Sequence, residues 1–492
     1  MRGAIWVGVG VLVSLFWPAP ADVSSVGLAA GSSPQGAVYD IDERSHPALA
    51  AAWEAFARQD WDDPDLAGLP ELRRARLITI DGPRARVWLD AGAAENLRSL
   101  GVRLRLACDR TPPPARTASV DLPPSSVPSG VLTSLAAAVS QKQMMTHLDE
   151  ISRKIPTRYC YTGGMRSATR YVLQRLRQYK LDRSYYDTFN YAGYTIRNVV
   201  GVKIGTLYPD RIYIIGAHLD SISPVPNTSA PGAEDNGSGS AGVVEAARLF
   251  ARLRTESTLY FVCFTGEEVG LIGSEHLAAQ AAEEGWDLQG FFDMDMVGFD
   301  LPGEPDLWLE GFHANPGSVA LLDLLEATAR SYTDLSVYRY PKDGWGSDHE
   351  AFDEFGFPAA LTIDYDWDSY SCYHKTCDVV ANIVPSHLRK MVLTNVLAAA
   401  QAAGLQSSPG SIKGTVDTTG SGIGAGVKIE LVGTGYQPVT TGASGTFVLR
   451  AILPGDYTLR ASAPRYRTKE LPVVVEEERT TKLTVRLTPA AK

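Results

Sequence analysis

The sequence predicts an α/β protein with a mostly parallel central sheet flanked by helices, and two observations carry that prediction. Between residues 131 and 405, short apolar segments of strand length alternate with segments of helical periodicity. Such alternation is typical of a parallel sheet that helices cover on both faces. Residues 411–488 instead contain short alternating strands separated by turns rich in glycine, which predicts a C-terminal all-β sandwich.

The individual elements of the α/β region can be placed in order. Strands are predicted at residues 198–204, 211–215, 258–264, 291–297, 306–310 and 359–363. Helices are predicted at residues 132–155, 165–179, 240–253, 274–284, 318–332 and 386–403. In a sheet of this kind, the active site collects beyond the carboxyl ends of the strands.

Composition excludes several classes of protein. The chain has 492 residues, of which 45% are hydrophobic and 21% charged, as in packed globular domains. Its 56 acidic residues exceed its 46 basic ones, so it lacks the positive surface that a nucleic-acid partner requires. Five cysteines are too few for a disulfide scaffold.

The first 21 residues have the pattern of a signal peptide. Arg2 precedes an apolar stretch at residues 4–17, and Ala19 and Ala21 form a small-residue cleavage site. That stretch is shorter than the roughly 20 residues of a membrane span, although an uncleaved anchor is the alternative. We expect cleavage after Ala21 and a secreted or periplasmic protein with no membrane span in its mature form.

Residues 22–128 precede the α/β region. Strands are predicted at 76–80, 86–89 and 102–106, with a helix at 93–100, which indicates a small α+β unit. A proline-rich linker follows it. This region is either a prosegment that is removed or a permanent N-terminal domain.

Histidine and carboxylate side chains follow the ends of several predicted strands. They are His218, Asp220, Asp235, Glu267, Glu268, Asp295 and His374. Each has an ordinary alternative explanation, such as a surface histidine or a helix cap, but together they place many like charges at one edge of a sheet. Such a cluster needs a compensating cation, and histidine with carboxylate, without paired thiolates, is typical of catalytic zinc.

Five segments then carry a family resemblance: AHLDS, GAEDNGSG, FTGEEVGLIGSEHLA, DMDMVG and CYHKTCD. In this order they resemble the secreted co-catalytic dizinc aminopeptidases, the bacterial leucine-aminopeptidase-like metallopeptidases, over residues 131–405. The resemblance implies a zinc-exopeptidase fold, two zinc ions per chain, and hydrolysis of N-terminal residues from peptides with a free N terminus. It implies five zinc ligands, with Asp235 bridging the two ions: His218, Asp235, Glu268, Asp295 and His374.

The resemblance also implies roles beyond metal binding. Glu267 would be the general base that takes a proton from a metal-activated water and passes it to the leaving amine. Tyr373 would stabilise the tetrahedral intermediate, and Asp220 would orient the His218 imidazole. Related enzymes carry a disulfide where Cys372 and Cys377 stand, and four residues separate these cysteines in an exported chain.

Alternatives remain for single residues and for the reaction. His349 competes with His374 as a ligand, and Asp293 faces the same side of a strand as Asp295, which is chosen only by the resemblance. Within the same fold, a glutamate-carboxypeptidase-like or glutaminyl-cyclase-like enzyme is the near alternative, and a non-catalytic exported binding protein is the distant one. No lysine or arginine occurs at residues 218–235 or 258–300, which favours a site for a substrate amine rather than a carboxylate.

The C-terminal region resembles the carboxypeptidase-regulatory-like domain. The segments that carry this resemblance are GSIKGTV, GAGVKIELVG and KLTVRL. The resemblance predicts the fold and leaves the role open, since the domain could contact substrate, attach the protein to a surface or stabilise it.

Overall fold

The computed structural model describes residues 127–490, apart from 192, 302–305, 345, 419–421 and 423, together with four strands nearer the N terminus. These strands are β1 Ala37–Asp42, β2 Arg76–Asp81, β3 Arg84–Leu89 and β4 Arg105–Leu106. They form an antiparallel sheet in the order β2-β3-β1-β4, of which β1 was not predicted. The predicted signal peptide, the helix at 93–100 and the linker lie outside the described residues.

An eight-stranded sheet forms the centre of the α/β region. Its strands are β5 Arg183–Tyr191, β6 Tyr194–Lys203, β7 Tyr208–His218, β8 Ser257–Phe264, β9 Asp287–Met294, β10 Leu307–Gly311, β11 Val337–Asp343 and β12 Ala359–Asp364. Their order is β11-β10-β12-β9-β7-β8-β6-β5, and the central strands β12, β9, β7 and β8 run parallel to one another. The predicted large, mostly parallel sheet is therefore confirmed, with antiparallel pairing between β10 and β12 and at β6 and β5.

Helices cover this sheet. They are α1 Ser129–Ala138, α2 Gln141–Leu148, α3 Gly163–Tyr179, α4 Gly239–Phe250, α5 Ile272–Glu284, α6 Pro316–Tyr332, α7 Asp348–Glu354 and α8 Pro385–Ala402. Among the described residues, no helix is both long enough and apolar enough to span a membrane.

The single helix predicted at 132–155 is wrong. The chain forms α1 and α2 there, followed by a short π-helix at Asp149–Arg153. Val139 and Ser140 have extended backbones, and the Ser140 hydroxyl accepts a hydrogen bond from the Gln143 amide, which caps α2. The apolar periodicity of the sequence continues across this break, so the periodicity alone does not reveal that a new helix begins after Ser140.

Two sheets form the C-terminal all-β region, as predicted. The strands are β13 Gly410–Thr418, β14 Lys428–Leu431, β15 Val439–Thr440, β16 Thr446–Ile452, β17 Gly455–Ser462, β18 Lys469–Val475 and β19 Thr480–Leu487. One sheet has the order β16-β13-β19 and the other β15-β14-β17-β18. Their buried apolar side chains join those of α1, α4 and α8 in one continuous hydrophobic core.

Candidate metal centre

Three neighbouring parallel strands bring the predicted ligands to one edge of the central sheet. His218 is the last residue of β7, Asp295 directly follows β9, and Glu268 lies in the short turn after β8. Asp235 lies in the loop between β7 and α4, and His374 lies in the loop that follows β12. Because parallel strands end at the same edge, residues far apart in sequence meet there.

These five residues form two groups that share Asp235. In the first group, His218 Nε2 lies 3.3 Å from Asp235 Oδ1 and 3.2 Å from Asp295 Oδ1. In the second, His374 Nε2 lies 3.0 Å from both Asp235 Oδ2 and Glu268 Oε2. Within each group, one ligand atom per residue lies within 4.8 Å of the others. The two oxygens of Asp235 therefore face two different histidines.

The electrostatics of this cluster are those of an anionic site. Burial by itself would lower the pKa of His218, but the charges of Asp295 and Glu267 and hydrogen bonds with carboxylates raise it well above its usual value. For Asp235, burial by itself would raise the pKa of the carboxyl group, but hydrogen bonds from His218 and His374 lower it. Burial, followed by the charge of Asp235, raises the pKa of Glu268 to about 7. The raised pKa of His218 and the lowered pKa of Asp235 both come from contacts between imidazole and carboxylate groups, in a cluster of carboxylates that favours a compensating positive charge.

Glu267 and Glu268 differ in their surroundings although they are adjacent. Both are buried, but only Glu268 belongs to one of the two ligand groups. Glu267 Oε2 lies 4.0 Å from His218 Nε2. The Asp220 carboxylate accepts hydrogen bonds from the backbone amides of both glutamates, at 3.2 and 3.3 Å, and so fixes the turn that separates them.

Asp220 lies beside His218, and its backbone carbonyl is closer to the imidazole than its carboxylate is. His218 Nδ1 lies 3.2 Å from the Asp220 carbonyl oxygen and 3.7 Å from the nearer carboxylate oxygen. The Tyr373 ring stacks on His374, with the ring centroids 3.9 Å apart, which places its hydroxyl-bearing ring beside the second group.

The two competing residues, His349 and Asp293, lie in neither group among the described residues. The Asp293 carboxylate accepts a hydrogen bond of 2.9 Å from the His349 amide, and His349 Nδ1 lies 3.5 Å from the same carboxylate. The opposite ring nitrogen of His349 lies 3.2 Å from the Gly344 carbonyl oxygen. The two residues therefore contact each other and lie outside both groups.

The disulfide between Cys372 and Cys377 is present, which confirms that prediction. It closes the loop that carries Tyr373 and His374. Cys160 and Cys263 are both buried and form no disulfide with each other, and Cys108 lies outside the described residues.

Three residues that support the site were not found from the sequence. Ser347 donates a hydrogen bond of 2.7 Å to Asp295 Oδ2, and Asp378 and Arg158 hold the backbone around Asp235. Asp378 had a detectable signal, because it directly follows Cys377 in the motif CYHKTCD. Ser347 and Arg158 had no such signal in the sequence, because they are distant from the motifs along the chain and reach the site only when the chain folds.

Known sequences are similar to two parts of this chain. Residues 198–399 match the model of peptidase family M28, and residues 411–488 match that of the carboxypeptidase regulatory-like domain. A probable leucine aminopeptidase of Arthroderma otae is 26% identical over 332 residues, which cover 62% of this chain and 85% of that protein. A probable aminopeptidase of Saccharomyces cerevisiae is 30% identical over 194 residues, or 37% of this chain, and the chain spans about half of its length (51%).

Solved structures are similar in fold. The LapA aminopeptidase of Legionella pneumophila superimposes with a TM-score of 0.58 at 17% identity, covering 76% of this chain and 99% of that one. LapB from the same organism gives a TM-score of 0.58 at 17% identity, covering 75% and 99%. The family resemblance seen in the motifs is thus confirmed. Residues 198–399 thus match peptidase family M28, and residues 411–488 match the carboxypeptidase regulatory-like domain.

Proposed function

We propose that this protein is a secreted dizinc aminopeptidase that removes N-terminal residues from peptides. The observation that carries the proposal is the position of Asp235 between two histidines, with one carboxylate oxygen facing each. A carboxylate placed in this way suits two metal ions that share a ligand. The names of the aminopeptidase relatives support the same reaction.

The donor set fits zinc. Imidazole and carboxylate groups, without thiolates, are typical of catalytic rather than structural zinc. Glu268 Oε1 is a buried carboxylate oxygen with no hydrogen-bond partner among the described residues, as expected of a ligand atom. His218, Asp235 and Asp295 would hold one ion, and Asp235, Glu268 and His374 the other. Two ions held there would polarise the scissile carbonyl and acidify a water molecule.

Glu267 is the residue best placed to act as the general base. It is buried, its Oε2 lies 4.0 Å from His218 Nε2, and it belongs to neither group, so its carboxylate can accept a proton from the attacking water and deliver it to the leaving amine. Tyr373, which stacks on His374, is proposed to stabilise the tetrahedral intermediate.

The charges around the site favour an amino-terminal substrate. A carboxypeptidase needs a cation that can reach the substrate carboxylate. Arg158 is the arginine that interacts with the ligand carboxylates, but it is fully buried, and its guanidinium donates to backbone carbonyls and to the Ser152 hydroxyl. Lys375 donates to the Ser371 carbonyl oxygen in its own loop. The carboxylates of the site suit a protonated α-amine.

Export is proposed from the signal-peptide pattern of residues 1–21 and is supported by the disulfide, because such bonds persist in oxidising compartments. Residues 22–128 are proposed to be either a prosegment that is removed during maturation or a permanent N-terminal domain. N-terminal sequencing of the protein recovered from culture medium would identify each cleavage point.

Metal removal tests the proposed function. Treatment with a chelator should abolish hydrolysis of an aminoacyl-nitroanilide, and back-titration with zinc should restore it, with full recovery at two ions per chain. Full activity in a sample that elemental analysis finds free of metal would refute the dizinc assignment. Recovery that is complete at one ion per chain would refute the bridging role of Asp235.

A further inference from the structure

The loop that presents Asp235 is held from two sides by residues outside it. One is Arg158, which precedes α3, and the other is Asp378, which follows the disulfide-closed loop. Neither residue belongs to the two ligand groups, and both contact the backbone at residues 231–235.

Arg158 holds the carbonyl groups of this loop. Its Nη2 donates a hydrogen bond of 2.7 Å to the Gly232 carbonyl oxygen, and its Nη1 donates to the carbonyl oxygen of Pro231. Its Nε donates over 2.6 Å to the carbonyl oxygen of Leu219, the residue after His218. The side chain is fully buried, and its Nη1 also donates to the Ile151 carbonyl oxygen and the Ser152 hydroxyl. One planar guanidinium thus ties the end of β7 to the segment before Asp235.

Asp378 holds the amide groups of the same loop. Its two carboxylate oxygens accept hydrogen bonds from the amides of Glu234, at 2.9 Å, and Asp235, at 3.0 Å. Its backbone carbonyl oxygen accepts one from the Ala233 amide at 3.2 Å, and the Tyr370 hydroxyl donates to its carboxylate at 2.8 Å. A carboxylate that receives two successive amides fixes the direction of the backbone between them.

The close approach of these groups depends on Gly232. Its φ is 50°, a conformation that other residues rarely adopt. A Cβ atom added there would lie 2.4 Å from the Asp235 carbonyl oxygen and 3.0 Å from Arg158 Nη2. The loop therefore folds tightly onto the guanidinium, without room for a side chain between them.

We propose that Arg158 and Asp378 are positioning residues that set the orientation of Asp235 between the two ligand groups. A carboxylate shared by two metal ions must be oriented correctly for each of them. A small rotation of its backbone would therefore weaken the binding of both ions. Arg158 fixes the carbonyl side of the loop and Asp378 the amide side, and each anchors it to the element that carries one of the two histidines. This inference rests on the proposed metal-binding role of Asp235.

The test compares Arg158→Lys and Asp378→Asn with matched controls. Arg389→Lys alters a guanidinium that also donates to two backbone carbonyls, and Asp182→Asn alters a carboxylate that also accepts a backbone amide, both outside the site. Zinc affinity would be measured by competition with a chromophoric chelator. The visible spectrum of the cobalt-substituted protein would report ligand geometry, and circular dichroism would report the folding of the metal-free protein.

We expect the two site variants to lose about 10- to 100-fold in metal affinity, the range for residues that orient ligands, and to show an altered cobalt spectrum. The controls should retain the parental affinity and spectrum. If Asp378→Asn does not fold, Tyr370→Phe removes one hydrogen bond to Asp378 and should weaken binding about two- to tenfold. Folded variants with parental affinity and spectrum would overturn the inference. Failure of the parent itself to bind metal would instead overturn the proposed function.

Discussion

Asp235 has a conformation that the surrounding chain imposes in detail. Its side chain contacts two histidines, and its backbone amide donates a hydrogen bond to Asp378. The Gly232 carbonyl oxygen, shortly before it in the chain, accepts one from Arg158. Burying several carboxylates together is unfavourable unless a cation compensates them. Hydrogen bonds to the backbone on both sides of Asp235 hold these carboxylates in their arrangement.

At the residue scale, Glu267→Gln separates catalysis from metal binding. The amide keeps the size of the side chain but cannot accept the proton of the attacking water, so turnover should fall at least about 100-fold. Elemental analysis should find the parental metal content. Glu268→Gln is the matched comparison, because it alters a proposed ligand and should lose metal as well as activity. Parental turnover in the first variant would mean that the roles of the two glutamates are wrong.

A second residue-scale prediction concerns His147 on α2. Burial, aided by the charges of Arg175 and Arg248, lowers its pKa to about 3. Its Nδ1 lies 2.7 Å from the Tyr171 hydroxyl. In the unfolded chain, the His147 imidazole takes up a proton near pH 6.5, whereas in the folded protein it does so only near pH 3. The free energy of unfolding therefore falls as the pH drops through that interval.

Between pH 7 and pH 5, this single residue should reduce the free energy of unfolding by about 2 kcal/mol. Urea unfolding of the parent and of His147→Gln at both pH values measures the effect. The parent should lose about that much more than the variant. Equal losses in the two proteins would show that His147 titrates normally.

At the element scale, the loop between Cys372 and Cys377 carries a conformational cost. His374 has a φ of 52°, which residues other than glycine rarely adopt, and the disulfide closes the chain around it. Replacement of both cysteines by serine should free this short loop, and its reordering on metal binding costs about 2 kcal/mol.

Zinc affinity of the double serine variant should therefore fall by up to about 30-fold. Chelator competition measures this, and thermal unfolding of the metal-free protein serves as the control for folding. An affinity equal to that of the parent would show that the loop keeps its shape without the bridge.

The elements also show what the sequence can and cannot predict. The strands that carry the proposed ligands were predicted because apolar runs lead into His218, Glu268 and Asp295. The outer strand β5 was missed, because it is only half-buried and rich in tyrosine and polar residues, so its alternation is weak. Ser347 and Arg158 could not be predicted, since their contacts depend on how distant segments pack.

At the scale of the whole molecule, the C-terminal domain packs closely on the peptidase domain. The Gly435 amide donates to the Ala138 carbonyl oxygen at the end of α1, and a Cβ atom at Gly435 would lie 2.2 Å from the Val139 carbonyl oxygen. The ion pairs Arg252–Asp456 and Arg254–Glu477 are largely exposed and add little. Apolar packing and this close backbone contact hold the domains together.

Gly435→Ala should therefore destabilise the protein by about 1–3 kcal/mol, the usual effect of overpacking. Gly442→Ala in the same domain is the control, because a Cβ atom there would meet nothing within 4 Å. Differential scanning calorimetry of the two variants measures the difference. Equal melting temperatures would show that the interface accommodates the added methyl group without loss of stability.

The direction of hydrolysis tests the central claim most directly. Purified zinc-loaded protein would be incubated at neutral pH with a peptide amide and with its N-acetylated twin, and the products followed by mass spectrometry. The carboxylates around the site predict stepwise loss of N-terminal residues from the first peptide and no change in the second. Removal of C-terminal residues from the acetylated peptide, once its amide is replaced by a free acid, would contradict an aminopeptidase and indicate a carboxypeptidase instead.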